Sequence, residues 1–324
     1  MHRIGWSAAA ALGLVAFAGG CKIENTFLPP HMTDVFFQVP TEKVDILFVV
    51  DDSRSMQQEQ EALADGFAGF LDELDASSTN YRIGLVSTSQ DASNPHPGEL
   101  VGDPPVLTPD DDTVALFQER VLLGIGGSDF ERGLQAAADA VWRNDGFVRN
   151  SANLVVVFVT DEDDCTDEGR LAGQPPVECY AQREQLVPVR TLVDRIRSVK
   201  TQGEVVRFGA ILGPLDGSCA EAYPGTRYAA AVYEAGGAIG RICDPDWTPV
   251  LRDLGVVAVG ILDQFELSHA ADESTIEVTV DDVGVPNDPE HGWTYDWRTH
   301  LLTFHGESVP RRDAEIRVDY DVAG

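Results

Sequence analysis

Apolar residues recur along most of the chain in two alternating patterns. Short, nearly continuous apolar runs predict buried strands at 44–50, 81–88, 154–159 and 205–212. Between and after these runs, apolar residues spaced three and four apart predict amphipathic helices over 63–74, 134–142, 186–199 and 251–261. Strands that alternate with helices are typical of a doubly wound α/β domain with a mainly parallel sheet. We assign this domain to residues 44–262.

The pattern changes after residue 262. Polar and apolar residues are interleaved in three stretches, which predicts short strands at 275–281, 301–304 and 315–320. Gly and Pro between these stretches supply turns. We therefore expect a small antiparallel β module over 263–324. Its aromatic residues Trp293, Tyr295 and Trp297 would share one face of an extended strand, where a core role is favoured over a sugar-stacking surface.

The first residues have the features of an export signal. A short positive start precedes an apolar run over 8–18, which is too short to span a bilayer. The small residues before Cys21 resemble a bacterial lipobox, in which the cysteine becomes the lipidated first residue. Cleavage after Ala18, with Cys21 left free, is the alternative. We expect residues 1–21 to form a lipoprotein signal peptide that ends in the lipobox cysteine.

The segment after Cys21 is interpreted as a spacer. Residues 22–43 contain three prolines and show little periodicity, which is typical of a tether. No later apolar run is long enough for a membrane helix, so a lipid would be the chain's contact with the membrane. Because Lys22 gives no inner-membrane retention signal, we expect a protein of the cell envelope, anchored at the outer membrane.

The excess of acidic over basic residues argues against some kinds of binding partner. The chain has 23 Lys and Arg against 54 Asp and Glu, a formal net charge of −31. Nucleic acids are bound through clustered basic residues, so this composition argues against a nucleic-acid partner. It is compatible with the binding of cations.

The number of cysteines agrees with the prediction that the protein is exported. Without Cys21 four cysteines remain, an even number, for which three pairings are possible. We favour the local pairs Cys165–Cys179 and Cys219–Cys243, because each would close one loop that contains Gly or Pro. The sequence has no C-x-x-C pair and no His near these cysteines, which argues against a zinc site.

Side chains whose oxygen atoms could ligate a metal lie at the predicted ends of two strands and before one helix. The first strand runs into a D-x-S-x-S motif formed by Asp51, Ser53 and Ser55, and a later strand runs into Asp161. Between them a Gly-rich turn carries Ser128. Ligands of open α/β sheets bind beyond the carboxyl ends of the strands, and hydroxyl and carboxylate oxygens suit a hard divalent cation. Capping of the following helices is the alternative role of these side chains.

This motif set resembles the metal-ion-dependent adhesion site of von Willebrand factor type A domains, and the resemblance covers about two-thirds of the chain. In that family two serines of the first loop and a threonine of the second ligate the metal directly. The third-loop aspartate acts mostly through water. The resemblance therefore implies a site made of Asp51, Ser53, Ser55, Ser128 and Asp161.

The second loop departs from the family pattern, because Ser128 stands where the threonine is expected. Ile125 is the alternative position in this loop, and it could not ligate a metal. The implied ion is Mg²⁺, with Mn²⁺ or Ca²⁺ as alternatives. The family also implies an open coordination position, which an Asp or Glu of a protein partner completes.

The segment 160–168 is rich in carboxylates. A second cation there is one interpretation, and a solvated acidic loop is the favoured one. Its Asp-Glu-Asp-Asp-Cys sequence also resembles that of exported bacterial relatives of the family, in which a disulfide holds the loop beside the metal. That resemblance supports the pair Cys165–Cys179.

The leading functional hypothesis is a non-enzymatic, metal-dependent protein-binding or adhesion module tethered to the bacterial cell envelope. A structural envelope protein whose metal stabilises the loops is the first alternative. The second is a phosphotransfer-type enzyme, which would need D-x-D after the first strand, whereas Asp51 is followed by Asp52 and Ser53. No G-x-S-x-G, H-E-x-x-H or P-loop motif is present.

Overall fold

The computed structural model describes residues 30–38, 41–200, 205–311 and 313–323. The first strand, β1 (His31–Phe37), belongs to a separate sheet that it forms with strands of the C-terminal tail. The strands of the central sheet are β2 (Lys43–Val50), β3 (Asn80–Ser87), β4 (Asn153–Thr160), β5 (Val206–Leu212) and β6 (Ile239–Arg241). All neighbours are parallel, in the order β3-β2-β4-β5-β6. The predicted α/β fold is confirmed.

Seven α-helices accompany this sheet in the described part of the chain, and six of them cover its two faces. They are α1 (Gln57–Ala76), α2 (Thr113–Val121), α3 (Gly133–Arg143), α4 (Val177–Ala181), α5 (Val189–Arg197), α6 (Thr226–Ala235) and α7 (Thr248–Ala258). The apolar residues of α1, α2 and α7 pack into one core, and those of α3, α5 and α6 pack into a second. The two cores lie on opposite faces of the sheet, as doubly wound folds require.

The central strands explain why the sheet is buried on both sides. Along β2, Ile46 and Phe48 belong to one core, and Leu47 and Val49 belong to the other. Successive side chains of a strand point to opposite faces, so a continuous apolar run is what a doubly covered strand needs. The continuous apolar run is the feature of the sequence that predicts β2.

Six further strands follow in the tail. They are β7 (Gln264–Glu266), β8 (Glu277–Val280), β9 (Val283–Val285), β10 (Trp293–Asp296), β11 (Leu301–Phe304) and β12 (Glu315–Asp321). They form two antiparallel sheets, in the orders β1-β12-β8-β9 and β10-β11-β7. The two sheets share one apolar core, which includes Phe265, Leu302 and Ile316. The predicted antiparallel module is present, and it also contains β1.

The interpretation of residues 22–43 as a tether is wrong for 31–37. This stretch is β1, which pairs with β12 along its whole length, from His31 opposite Asp321 to Phe37 opposite Glu315. Every second residue of β1 is less exposed than its neighbours, which is the alternation of a half-buried strand. The prolines that indicated a tether flank this strand and do not interrupt it. Residues 1–29, which include the predicted signal peptide and Cys21, lie outside the described residues.

The tail aromatics divide between core and surface. Trp293 and Tyr295 are buried in the core of the module, whereas Trp297 follows the end of β10 and is 64% exposed. The core role is therefore confirmed for the first two and wrong for the third.

Two disulfides connect Cys165 with Cys179 and Cys219 with Cys243. The predicted local pairing is confirmed. Because disulfides persist in oxidising compartments, they indicate a secreted or extracellular protein. In the described parts of the chain, the structure contains no helix with the length and apolar character needed to cross a membrane.

Candidate metal site

Asp51 joins the first loop to the end of a neighbouring strand. It follows β2 directly and has no exposed surface. Its Oδ1 accepts the Ser53 N–H at 2.7 Å, and its Oδ2 accepts the Thr160 hydroxyl at 2.6 Å. Since Thr160 is the last residue of β4, these bonds hold the carboxyl ends of β2 and β4 together.

The side chains of the two serines in the first loop lie side by side. Their hydroxyl oxygens, Ser53 Oγ and Ser55 Oγ, are 3.3 Å apart. The Ser55 hydroxyl also lies near the Asp161 carboxyl. Asp161 Oδ1 is buried and has no hydrogen-bond partner. The structure thus brings Asp51, Ser53, Ser55 and Asp161 together at one edge of the sheet.

Helix capping does not account for these side chains. Helix α1 begins after Met56, which makes no side-chain cap bond, and helix α3 begins after Arg132, which makes none either. The serines are therefore not used as N-caps in the sense of the alternative interpretation.

Ser128 lies beside the first loop but bonds to other groups. Its N–H donates to Ser89 Oγ at 2.8 Å, and the Ser89 hydroxyl donates to Asp52 Oδ1 at 2.6 Å. The Ser128 hydroxyl donates to Asp91 Oδ2 at 2.6 Å and accepts the Phe130 N–H at 3.0 Å. Its proton is thus engaged with Asp91. Ile125, the alternative position, is 41% exposed.

Sequence reasoning missed Glu131, which lies three residues after Ser128. It is fully buried, and neither carboxylate oxygen has a hydrogen-bond partner. Its backbone C=O accepts the Cys165 N–H, which connects the second loop to the third. The only sequence signal was an acid just before a predicted helix, and the favourable interaction of acids with helix N-termini accounts for such an acid equally well.

The carboxylates at this edge raise one another's pKa. Burial, together with the charge of Asp161, raises the pKa of Asp51 to about 7. Burial and the charges of Asp51 and Asp161 raise the pKa of Glu162 to about 8. Burial and the charge of Asp51 also hold the pKa of Glu131 well above its ordinary value. These directions show that negative charge is concentrated here without compensation.

The acids further along the third loop differ, because arginines pair with them. Asp164 lies 3.0 Å from Arg227, and Asp167 lies 2.9 Å from Arg132. Both carboxyl side chains are completely buried. The interpretation of 160–168 as a solvated acidic loop is therefore wrong: most of its acids are buried, and these two form ion pairs that hold the loop in place.

The donor set decides what kind of ion would fit. Within the described residues, no three His, Cys, Asp or Glu side chains are grouped as metal ligands. A site here must therefore use hydroxyl oxygens beside the carboxylates. Such all-oxygen donors suit Mg²⁺, Mn²⁺ or Ca²⁺ rather than zinc.

Comparison with known proteins finds one family that resembles this part of the chain. Residues 46–163 match the family model of the von Willebrand factor type A domain. This stretch runs from β2 through β4 and contains all five predicted ligands. Comparison with curated protein sequences gives no significant match.

Several solved structures resemble the chain. One is the pilus adhesin SpaC from Lactobacillus rhamnosus GG in its open conformation, with 12% identity and a TM-score of 0.40 over 92% of this chain and 41% of that one. Another is proximal thread matrix protein 1 from the mussel byssus, with 16% identity and a TM-score of 0.38 over 73% and 52%. A third is the pilus adhesin RrgA from Streptococcus pneumoniae, with 11% identity and a TM-score of 0.34 over 90% and 58%. The chain thus spans about two fifths of the SpaC chain.

The family match, the parallel sheet flanked by helices and the D-x-S-x-S loop after β2 lead to the same assignment. Residues 46–163, which lie in the α/β part of the chain, match the von Willebrand factor type A domain.

Proposed function

We propose that this chain is a non-enzymatic adhesion protein of the bacterial cell envelope that binds a protein partner through a divalent cation. The observation that carries the proposal is the convergence of Ser53, Ser55, Asp51 and Asp161 at one edge of the sheet. Among the described residues, Asp51, Asp161, Glu131 and Glu162 form no ion pair with a Lys or Arg side chain. Burying unpaired charge is costly, and a cation would remove that cost.

The proposed ion is Mg²⁺, with Mn²⁺ and Ca²⁺ as alternatives. The hydroxyls of Ser53 and Ser55 would ligate it, and the carboxylates of Asp51 and Asp161 would hold it in the loop. Asp161 Oδ1, buried and without a partner, fits this role. When bound, the ion supplies an electrophilic position for an Asp or Glu carboxylate of the partner.

The hydrogen bonds of Asp51 favour binding over phosphotransfer chemistry. Both of its carboxylate oxygens already accept hydrogen bonds, one from the Ser53 N–H and one from the Thr160 hydroxyl. A carboxylate that acts as a nucleophile needs a free oxygen directed at the substrate. Asp51 is instead suited to hold the first loop in shape.

The test compares metal binding and partner binding in the same variants. Calorimetry with Mg²⁺ and Mn²⁺ should show binding to the full chain with its disulfides formed, and Asp51→Ala should abolish it. Asp65→Ala is the matched control, because Asp65 is an exposed residue of α1. In a pull-down from envelope extract, the wild type and Asp65→Ala should retain a protein that EDTA releases, and Asp51→Ala should not. No heat of metal binding to the wild type would refute the site.

The envelope anchor is tested separately. Cys21→Ser should move the protein out of the membrane fraction, because it removes the proposed lipidation site. Unchanged fractionation of this variant would contradict the lipid anchor while leaving the metal site untouched.

A further inference from the structure

Glu131 is a buried carboxylate that the known motif does not use. Its side chain has no exposed surface, and both Oε1 and Oε2 are without hydrogen-bond partners. Buried polar atoms in folded proteins almost always have a partner. An ionisable group with two unpartnered oxygens therefore indicates a missing ligand or a bound proton.

The groups around Glu131 favour a missing cation. The hydroxyl of Thr88, at the end of β3, lies beside the carboxyl, and its Oγ1 is also buried without a hydrogen bond. The charges that act most strongly on Glu131 are those of acids, namely Asp51, Glu162 and Asp52. The neighbouring Arg132 is paired with Asp167 and is not free to compensate. Two unpartnered oxygen-bearing side chains thus lie next to Asp51, the first residue of the D-x-S-x-S motif.

Ser128, at the position where the family has a ligating threonine, is already engaged. Its hydroxyl donates to Asp91 Oδ2 at 2.6 Å and accepts the Phe130 N–H at 3.0 Å. A hydroxyl oxygen has two lone pairs, and the Phe130 N–H already occupies one of them, so this oxygen could ligate a metal only through the other. Glu131 has no hydrogen bond to lose.

We propose that Glu131, rather than Ser128, supplies the second loop's ligand to the divalent cation. This inference rests on the proposed function, because it concerns the same ion. At the second loop's ligand position, the carboxylate of Glu131 thus takes the place of a neutral hydroxyl. The bound cation then offsets the negative charge of the acids at this edge of the sheet. The cation is held more tightly than by hydroxyls alone, and it attracts a partner's acid less strongly because part of its charge is neutralised from within the chain.

The experiment measures Mn²⁺ affinity by calorimetry on the full chain, with its disulfides formed. The variants are Glu131→Gln and Ser128→Ala, and the matched control is Glu119→Gln, an exposed glutamate of α2. Glu131→Gln keeps the size of the side chain and removes its charge, so it should weaken Mn²⁺ binding by at least about ten-fold. Ser128→Ala and Glu119→Gln should bind Mn²⁺ as the wild type does.

A second measurement separates loss of the ligand from loss of the fold. In EDTA, Glu131→Gln should unfold at the same urea concentration as the wild type or at a higher one, because it removes an unpaired buried charge. Weaker binding in a variant of undiminished stability cannot be due to misfolding.

Two results would overturn this inference and leave the proposed function intact. One is wild-type affinity in Glu131→Gln, and the other is loss of affinity in Ser128→Ala while Glu131→Gln still binds. Absence of Mn²⁺ binding by the wild type would overturn both the proposed function and this inference.

Discussion

At the scale of single residues, Gly127 sets how closely the first and second loops approach. Its N–H donates to the Asp52 backbone C=O at 2.8 Å. A Cβ at this position would lie 2.2 Å from Asp52 Oδ1 and 2.6 Å from the Asp52 backbone oxygen. Rotation of the Asp52 side chain could relieve only the first of these contacts. Only glycine therefore permits the loops to touch here.

We expect Gly127→Ala to separate the two loops. It should lower the free energy of unfolding by about 1–3 kcal/mol and weaken Mn²⁺ binding, as measured by urea denaturation and calorimetry. Gly126→Ala is the matched control, because a Cβ at Gly126 would meet no atom within 4 Å. Equal stability and affinity in the two variants would contradict the close approach of the loops.

Asp167 stabilises the third loop as a charged group. Burial raises the pKa of this carboxyl, but the Leu171 N–H and the Arg132 guanidinium outweigh burial and hold the pKa below its ordinary value of 3.8. An acid with a lowered folded-state pKa contributes stability above its unfolded pKa and loses that contribution as the pH falls through the folded one.

We expect Asp167→Asn to cost about 1.5–3 kcal/mol at neutral pH, the range for a hydrogen bond to a charged group. The difference from the wild type should shrink as the pH falls below the ordinary pKa of 3.8. Urea denaturation of both proteins at neutral and acidic pH measures this. A difference that does not depend on pH would show that the charge of Asp167 plays no part.

At the scale of elements, Gln38 joins the end of β1 to the junction between the two domains. It is buried, its Nε2 donates to Pro310 O at 3.2 Å and to Leu262 O, and its Oε1 accepts the Leu262 N–H at 3.1 Å. One side chain thus satisfies three backbone groups that lie more than 200 positions away in the chain.

Gln38→Ala should leave these backbone groups unsatisfied and lower the free energy of unfolding by about 1–3 kcal/mol. Gln58→Ala, at an exposed position of α1, should have little effect. Thermal unfolding monitored by circular dichroism compares them. If the two variants melted together, the contacts of Gln38 would not contribute to stability.

The elements that the sequence predicts are those with local signals. Strands β2 and β4 are apolar throughout because both of their faces are covered, and the site residues Asp51 and Asp161 follow directly from where these strands end. Strand β1 could not be predicted, because its partner β12 begins 278 residues after the end of β1 and its flanking prolines resemble those of a linker. Glu131 could not be identified either, because its burial depends on three loops that meet only in the folded chain.

At the scale of the whole molecule, the formal charge of −31 works against the compact state. Raising NaCl from about 0.01 M to about 1 M shortens the screening length from about 30 Å to about 3 Å. In EDTA, we expect this change to raise the midpoint of thermal unfolding, because it weakens repulsion among the acids. A midpoint that stays constant or falls would show that self-repulsion does not limit stability.

The pairing of β1 with β12 has a mechanical consequence if the chain is tethered by its N-terminal end. A partner that pulls on the α/β domain would stretch the backbone between the tether and β2, and β1 lies on that line. Because both ends of β1 would be pulled, the tension passes along the backbone of β1 itself, and the seven residue pairs with β12 are not drawn apart. A strand is already nearly extended, so β1 would lengthen little under load. The β module would therefore stay folded beside the tether while the α/β domain is pulled.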